Sequence, residues 1–439
     1  MDYLPCPYQP GTGAQPPVLA GRADLFSKVG TRMLSVASFG RPAPSPIVLT
    51  GVRGMGKTVS LTRMRSMAQD MGLGVASARF ARSGGDNMQA LGEALARSSA
   101  VWDSTPSAAW DRAMQHLKEF SVEVNAGVIK LGTRLEGGEQ APGNLTDLIA
   151  ETAAAHLDHD RRGLAVFVDE LHTGSPDDLN TLATASQNLI SDRGLPVVIV
   201  AAGTPDTAAA LERAGSSFAE RFSYLNVGPL NADESLAALV QPSVDLGVTW
   251  TPEAAAAALE MAQGNPWRIQ QLGEGCWEAA MEQGRPLVLG SQIDARLVAA
   301  AGEHVMETLE HGSFASRWTN STPVERLYLT AAAQSMGSDG IAQTRHIDSL
   351  MGRTSTQNSD VRATLINKGV LTAAGRGAIS FSAPGFDHFV LERQNVPRLD
   401  SNILETRTRS AITSSHRTPT AQASETRRAK TSDRPRLEP

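Results

Sequence analysis

Between residues 19 and 230, short apolar runs alternate with segments whose apolar residues recur every three or four positions. The apolar runs predict buried strands, and the periodic segments predict amphipathic helices. Strands that are apolar throughout and separated by helices indicate a parallel sheet that is covered on both faces. The pattern therefore predicts an α/β protein. The predicted strands cover residues 47–50, 75–80, 164–170, 196–204 and 224–227.

The pattern differs in the rest of the chain. Residues 1–18 are rich in Pro and Gly and are predicted to be an extended lead-in. After Leu230 the strand signals vanish, and residues 231–311 predict helices only. Residues 323–393 predict three helices, a strand pair around a Gly-Arg-Gly tip, and a last helix. Residues 397–439 have almost no large apolar side chains, which predicts a disordered tail.

Composition narrows the class of protein. The 439 residues are enough for two or three domains. No apolar run reaches the roughly 18–20 residues that a membrane helix needs, and the N-terminus lacks the features of a secretory signal. Cys6 and Cys276 are the only cysteines, which excludes a disulfide scaffold and a cysteine-based zinc finger and fits a reducing cytosol. We therefore expect a cytoplasmic protein without a membrane span.

A glycine-rich segment supplies the first chemical motif. Residues 51–58, GVRGMGKT, match G-x-x-x-x-G-K-[ST] without deviation and lie between a predicted strand and a predicted helix. Glycines let the backbone wrap around an anion, and N–H groups at a helix N-terminus bind phosphates. Lys57 is expected to contact the β- and γ-phosphates, and the Thr58 hydroxyl to bind Mg²⁺. The predicted nucleotide-binding residues are Gly51, Val52, Arg53, Gly54, Met55, Gly56, Lys57, Thr58 and Val59.

Two acids supply the second motif. Asp169 and Glu170 end the predicted strand at 164–170, which is the Walker B arrangement. Beside a Walker A motif, Asp169 is expected to hold Mg²⁺ and Glu170 to polarise the attacking water. Two acids at a strand end also occur in ordinary turns, but the Walker A motif disfavours that alternative. The acid pair favours hydrolysis over phosphoryl transfer to a small acceptor.

With both motifs in this order, the chain resembles an AAA+ ATPase of the origin-recognition-like, archaeal-type group, which borders the STAND signalling ATPases. The resemblance covers roughly residues 19–290. It implies a parallel-sheet P-loop NTPase core at 19–230 and an α-helical lid at 231–311. The spacer between the two motifs is longer than a minimal fold needs, so residues 100–145 are predicted to be an insertion. Within it, residues 120–136 predict a hairpin or a short inserted segment.

The resemblance implies further contacts with the nucleotide. GRADLF at 21–26 is similar to the segment near the nucleotide base, which places Arg22 there. GTPD at 203–206 falls at the sensor 1 position, which makes Thr204 a candidate contact for the γ-phosphate or the lytic water. Sensor 1 is often Asn, so Thr is an acceptable but less typical residue.

Two arginines are candidates for phosphate recognition. SFAERF at 217–222 is similar to the box that supplies an arginine finger to a neighbouring subunit, here Arg221. The alternative is a surface arginine that interacts with a helix C-terminus. GNPWRIQQL at 264–272 is similar to the sensor 2 segment, in which Arg268 would contact the γ-phosphate. A planar guanidinium binds phosphate oxygens in pairs, so arginine suits both roles.

Residues 323–393 resemble the winged-helix domain that the origin-recognition-like group usually carries. If this domain binds double-stranded DNA, its third helix would lie in the major groove. The alternative is a protein-interaction or regulatory module, because an acidic body disfavours phosphate contacts: the whole chain carries −6 and residues 406–439 carry +5, which leaves −11 for the rest. The tail carries eight Arg or Lys against three Asp or Glu in 406–439, and either contacts phosphates or is a solvated linker. The candidate DNA contacts are Thr354, Thr356, Gln357, Asn358, Arg362 and the wing residue Arg376.

These features support two functional hypotheses. The first is an ATPase that uses ATP and Mg²⁺ and couples hydrolysis to remodelling on DNA or to assembly with a protein partner, as a homo-oligomer if Arg221 acts in trans. The second is a STAND-like regulatory switch, in which the winged helix clamps the lid instead of binding DNA. A small-molecule P-loop kinase is disfavoured, because such enzymes need neither a winged helix nor a finger arginine. The predicted catalytic residues are Lys57, Glu170, Thr204, Arg221 and Arg268, and the metal ligands are Thr58 and Asp169.

Overall fold

The structure, a computed structural model, describes residues 3–11, 13–81, 87–99, 112, 115, 145–215, 219–337, 340–375, 377–383, 385–400 and 402–408. The chain divides into two units, Met1–Gly312 and Ser313–Pro439. Some predictions lie outside the described residues. They concern the hairpin at 120–136, the segment 216–218, Arg376 and the tail after residue 408.

Five parallel strands form the main sheet of the first unit, in the order β2-β3-β4-β1-β5. All five follow the predicted strands to within one residue at each end. Thr50 at the end of β1 pairs with Gly203 of β4 and with Asn226 of β5, so the carboxyl ends of these strands lie at one edge of the sheet. The strands are β1 (Ile47–Thr50), β2 (Gly74–Arg79), β3 (Leu164–Asp169), β4 (Val197–Gly203) and β5 (Ser223–Asn226).

Both faces of this sheet are buried, which explains why its strands are apolar throughout. In β3, Ala165 and Phe167 belong to one core cluster, and Val166 and Val168 belong to the other. Every residue of β4 is buried. The α/β prediction is therefore confirmed. The α-helices that accompany the sheet are Ala23–Phe39, Lys57–Asp70, Asn87–Ser99, Leu145–Asp158, Pro176–Asn188 and Thr207–Arg213.

A helical region follows the sheet within the first unit, and we call it the lid. One feature of the lid was not predicted: the two-residue strands β6 (Thr249–Trp250) and β7 (Gln292–Ile293) pair in parallel. Strands this short have no periodicity to detect in the sequence, and only the folding of the lid brings them together. The lid helices are Ala232–Val244, Pro252–Ala262, Pro266–Glu282 and Ala295–Leu309.

The second unit combines helices with a three-stranded antiparallel sheet of order β8-β10-β9. Its core contains Tyr328, Phe314 and Phe386, all of them fully buried. The strand pair of the prediction is present, and β8 is an additional short strand. The strands are β8 (Ala342–Gln343), β9 (Leu371–Ala373) and β10 (Ala378–Phe381). The helices are Ala315–Thr319, Pro323–Gln334, Thr344–Met351, Ser355–Asn367 and Phe386–Gln394.

The prediction that the chain is disordered from residue 397 is wrong for residues 402–408, which are helical. Leu404 is buried, and the N–H of Leu399 donates to the Gln334 carbonyl at 2.9 Å. Arg345 Nη2 also donates to Glu405 Oε1 at 2.8 Å. The composition of this segment did not indicate a helix, because one buried leucine and a few polar contacts are enough to hold two helical turns in place.

Within the described ranges, no helix combines the length and the apolar character that crossing a bilayer requires.

Candidate nucleotide-binding site

The glycine-rich segment forms a loop between β1 and the helix Lys57–Asp70. Gly54 and Gly56 both have a φ of +84°, a conformation that residues with a side chain adopt only at a cost. Gly56 is the N-cap of the helix and has no side chain to satisfy the first helical N–H groups. Those N–H groups and the helix dipole favour an anion at this point. The loop therefore has the backbone shape of a phosphate site.

Lys57 is folded back onto this loop. Its Nζ donates to the carbonyl oxygens of Gly51 and Val52 at 2.7 and 2.8 Å. Burial lowers the pKa of Lys57 to about 8, an effect that the nearby carboxylates of Glu170 and Asp169 partly offset. A bound phosphate would add an anionic partner for the buried ammonium.

Thr58 and Asp169 meet although they are 111 residues apart in the chain. Thr58 Oγ1 donates to Asp169 Oδ2 at 2.9 Å. The pairing arises because β1 and β3 are parallel and end at the same edge of the sheet, one on each side of β4. A hydroxyl and a carboxylate are hard oxygen donors of the kind that Mg²⁺ takes beside phosphate oxygens and water. The donor set therefore fits the predicted metal site.

Glu170 lies directly after β3 in a left-handed conformation, with φ 54° and ψ 37°. For a residue with a side chain this conformation costs on the order of 1–2 kcal/mol, and such strain concentrates at functional sites. The Glu170 carboxylate is held from two sides. Arg79 Nη2 lies 3.5 Å from its Oε1, and His172 Nδ1 lies 3.4 Å from its Oε2.

The lid contacts the phosphate loop directly through Asn265. Its Oδ1 accepts from the N–H groups of Trp267 and Arg268 at 3.0 and 3.2 Å, which caps the helix Pro266–Glu282. A Cβ atom placed on Gly54 would lie 3.0 Å from the Asn265 side-chain amide. The N–H of Trp267 also donates to the Gly54 carbonyl at 3.3 Å. The GNP segment is therefore seated on the loop that would hold the phosphates.

Arg22 and Thr204 also lie beside this loop. Arg22 is buried, and its Nη2 donates to the carbonyls of Met55 and Gly228 at 3.0 and 2.7 Å. In this position it fastens the phosphate loop to the chain that leaves β5, and its predicted contact with the base stays a prediction. Thr204 follows β4 directly, and Gly51 N donates to the neighbouring Gly203 carbonyl at 3.3 Å. Thr204 is thus next to the start of the loop, and its sensor 1 role stays a prediction.

The two predicted phosphate-binding arginines are in different places. Arg221 precedes β5 at the amino end of the strand, so it lies at the sheet edge opposite to the phosphate loop. Arg268 is buried in the lid, and its Nη2 lies 3.9 Å from Met306 Sδ. In this conformation the Arg268 guanidinium is directed at another lid helix, and its sensor 2 role stays a prediction.

The structure separates the candidate DNA contacts of the second unit. Asn358 is fully buried and donates through Nδ2 to Asp348 Oδ1 at 2.7 Å, so its prediction as a DNA contact is wrong. Burial raises the pKa of Asp348, and this bond together with the charge of Arg362 partly opposes the rise. Gln357 Oε1 accepts from the Thr354 N–H at 2.9 Å, which completes a helix capping box. Thr356 is exposed.

Two residues of the site, Arg79 and Asn265, were not predicted from the sequence. Arg79 ends β2, where it is paired in register with Asp169. A charged residue at the end of an apolar run is the available signal, but only the strand order places it beside Glu170. Asn265 carries the stronger signal, since Asn before Pro is typical of a helix N-cap. Its contact with Gly54 spans more than 200 residues and depends on tertiary structure.

Comparison with known proteins agrees with this geometry. Residues 18–200 match a family model described as the AAA ATPase domain, and residues 311–390 match one described as a domain of unknown function. A search of curated proteins gave no match.

Two solved structures illustrate the similarity of the fold. The Aeropyrum pernix ORC2 protein, solved as ADPNP–ADP complexes, is 15% identical with a TM-score of 0.53 over 93% of this chain and 98% of its own. A Walker-type ATPase of Pyrococcus abyssi is 15% identical with a TM-score of 0.54 over 85% of this chain and 96% of its own.

The family match and the phosphate loop agree: residues 18–200 match the model of the AAA ATPase domain, and the first unit has the parallel-sheet P-loop fold that the sequence predicted. Within that class, the fold resembles that of the archaeal origin-recognition-type proteins.

Proposed function

We propose that this protein binds ATP with Mg²⁺ and hydrolyses it to ADP and phosphate, and that the nucleotide state controls a partner. The observation that carries the proposal is the 2.9 Å contact between Thr58 and Asp169. It joins the two predicted metal ligands from separate strands beside a phosphate loop. The similarity to the Aeropyrum pernix ORC2 protein, solved with ADPNP and ADP, gives further support.

Each residue of the site would have one task. Lys57 would exchange its bonds to Gly51 and Val52 for phosphate oxygens. Thr58 and Asp169 would hold Mg²⁺, which neutralises phosphate charge when it is bound. Glu170 would orient and polarise the attacking water, since its carboxylate ends the strand next to these ligands.

Nucleotide binding and turnover test the proposal in separate measurements. We expect Lys57→Ala to abolish binding of a fluorescent ATP analogue. Glu170→Gln should bind it within about twofold of wild type and lose at least about 100-fold in turnover, which general-base catalysis supplies. Glu260→Gln, an exposed carboxylate of the lid, is the matched control and should change neither. Turnover of Glu170→Gln equal to wild type would refute the hydrolytic role.

The position of Arg221 supports a further step, which is assembly of the protein with itself. A four-residue strand separates Arg221 from the carboxyl edge of its own sheet, a length of about 13 Å. We therefore propose that any nucleotide Arg221 contacts belongs to another subunit. A mixture of the Arg221→Ala and Glu170→Gln proteins should regain activity. In mixed assemblies, the intact Glu170 of one subunit can face the intact Arg221 of the other. No recovery in the mixture, with both variants inactive alone, would contradict action in trans.

The second unit is proposed to be a winged helix that binds the partner, and its charges favour a protein over double-stranded DNA. Lys368 and Arg345 are paired with Glu325 and Glu405, each at 2.7–2.8 Å. Affinity for duplex DNA depends on cations that neutralise phosphates, and these two already have acidic partners. The exposed residues of the helix Ser355–Asn367 include Ser355, Thr356, Asp360, Ala363 and Thr364, none of which is basic.

A duplex-DNA titration at several salt concentrations tests the choice of partner. Glu substitutions at Thr356 and Ala363 add two negative charges to the exposed helix face. If this face contacts a protein, the double variant should bind DNA as wild type does. Loss of wild-type DNA binding in the double variant would show instead that the helix contacts DNA.

The regulatory switch is the second candidate, and the contact of Asn265 with Gly54 favours it. Because the lid contacts the phosphate loop directly, a movement of the loop on a change at the phosphates would also move the lid. Tight nucleotide binding with negligible turnover, at every protein concentration, would support the switch over the ATPase.

A further inference from the structure

The lead-in before the sheet is a packed strap along the lid. We define the strap as residues 3–11 together with residue 13. Tyr8 is its anchor: the side chain is 2% exposed, and its hydroxyl donates to the Leu239 carbonyl. The Tyr8 ring meets the Trp277 ring edge-on with centroids 5.5 Å apart. A residue this deeply buried and hydrogen-bonded is part of the lid core.

The lid is shaped to receive this tyrosine. Gly273 lies in the middle of the helix Pro266–Glu282, where glycine costs about 1 kcal/mol relative to alanine. A Cβ atom at Gly273 would lie 2.5 Å from the Tyr8 ring. The absence of a side chain at Gly273 therefore leaves a notch in the helix surface, which the Tyr8 ring occupies.

The strap runs antiparallel to the same helix and reaches the phosphate loop. Leu4 N donates to the Leu287 carbonyl at 3.0 Å, beyond the helix C-terminus. Gln9 N donates to Gln270 Oε1 at 3.1 Å, and Trp267 Nε1 donates to the Pro10 carbonyl at 2.7 Å. At Gly13 an added Cβ would lie 3.1 Å from Thr58 Cγ2. One end of the strap is thus in the lid, and the other lies beside a predicted metal ligand.

These contacts connect the two walls of the nucleotide site. After Gly13 the chain continues to Arg22, which is fastened to the loop through the Met55 carbonyl. A lid that moves away from the loop must therefore pull Tyr8 from its notch or pull Gly13 from Thr58.

We propose that the strap is a lock on the lid, and that Tyr8 must leave its notch before bound nucleotide can be exchanged. This inference rests on the proposed function, since it requires nucleotide between the lid and the phosphate loop. Tyr8 is then a positioning residue that sets the rate of ADP release without touching the nucleotide.

Release of a fluorescent ADP from the full chain tests the lock. Tyr8→Ala removes the ring from the notch, and Gly273→Ala fills the notch with a methyl group. Both variants should accelerate ADP release at least tenfold. Tyr8→Phe, which keeps the ring and loses one hydrogen bond, should accelerate release about two- to threefold. Tyr3→Ala is the control. Tyr3 is in the same strap but 59% exposed, so the Tyr3→Ala variant should release ADP at the wild-type rate.

Cys276 gives a second measurement that is independent of nucleotide release. It is fully buried one residue before Trp277, and burial raises the pKa of its thiol to about 12. In a Cys6→Ser background, alkylation of Cys276 should be slow while the strap is seated and faster in Tyr8→Ala and Gly273→Ala. Mg-ADP should slow alkylation further only when Tyr8 is intact.

The results separate this inference from the proposed function. If wild type binds no ADP, the proposed function fails, and the lock fails with it. If wild type binds ADP, and both variants expose Cys276 but release ADP at the wild-type rate, only the lock is overturned. Faster release together with faster alkylation supports it.

Discussion

Asn265 offers a sharp test of how the lid is coupled to the phosphate loop. It is 3% exposed, caps the helix Pro266–Glu282 with two hydrogen bonds, and lies against Gly54. Asn265→Ala removes the cap, and Asn265→Asp keeps the acceptor oxygen while adding a negative charge. The pair of variants therefore separates the structural role from the electrostatic one.

The magnitudes follow from the contacts. Loss of an N-cap costs about 1 kcal/mol, within a range of about 0.5–2. Trp267 N keeps its bond to the Gly54 carbonyl, so Arg268 N is the donor that loses its partner. For a region of this size, about 1 kcal/mol lowers Tm by roughly 2–4 °C. Asn265→Asp should keep Tm near wild type. Repulsion of about 1 kcal/mol between its carboxylate and the triphosphate should weaken ATP binding about fivefold.

Thermal unfolding by circular dichroism and titration with a fluorescent ATP analogue measure the two effects. Equal destabilisation by Ala and Asp would refute the capping argument. Wild-type ATP affinity in Asn265→Asp would refute the close approach of the lid to the phosphates.

Three further predictions address other parts of the molecule. His156 is buried and its pKa is lowered to about 3, chiefly by burial, so its stabilising effect is present above pH 6.5 and is lost as pH falls towards 3. In urea unfolding, this histidine should lower the free energy of unfolding by about 2 kcal/mol between pH 6.5 and pH 5. In His156→Gln the free energy of unfolding should depend less on pH over this range. Asn358→Ala should destabilise the second unit by about 1–3 kcal/mol in the same assay, because it strips a buried bond from Asp348, whereas Thr356→Ala should be neutral. Arg79→Ala should change turnover less than about fivefold, because the Arg79 side chain is 61% exposed and an ion pair of an exposed arginine is worth under about 1 kcal/mol. A loss as large as that of Glu170→Gln would show that Arg79 acts on the reaction itself.

The sheet and the phosphate loop were predictable because their signals are local. A buried parallel strand must be apolar throughout, so β1 and β4 are visible as apolar runs. The loop needs glycine at fixed spacing, followed by Lys57 and Thr58, to cradle a phosphate. These constraints act within about ten residues, and a single sequence displays them.

The sequence was less informative where the role of a residue depends on which residues face it in the fold. Asn358 looks like a polar contact on a helix, yet the fold buries it against Asp348. Arg268 has the residue type and segment of a phosphate sensor, and its guanidinium is directed at Met306 in this conformation, so its sensor role stays a prediction. In both cases the sequence indicates the chemistry of the side chain and not its direction.

The sequence by itself determined the succession of strands and helices along the chain, the phosphate loop and the acid pair at Asp169 and Glu170. Only the tertiary structure decided that Thr58 meets Asp169, that Asn265 rests on Gly54, and that Tyr8 occupies a notch at Gly273. Each of these contacts joins residues more than 100 positions apart. Such pairs are fixed by strand order and helix packing, and these depend on the whole chain and leave no local signal in either partner.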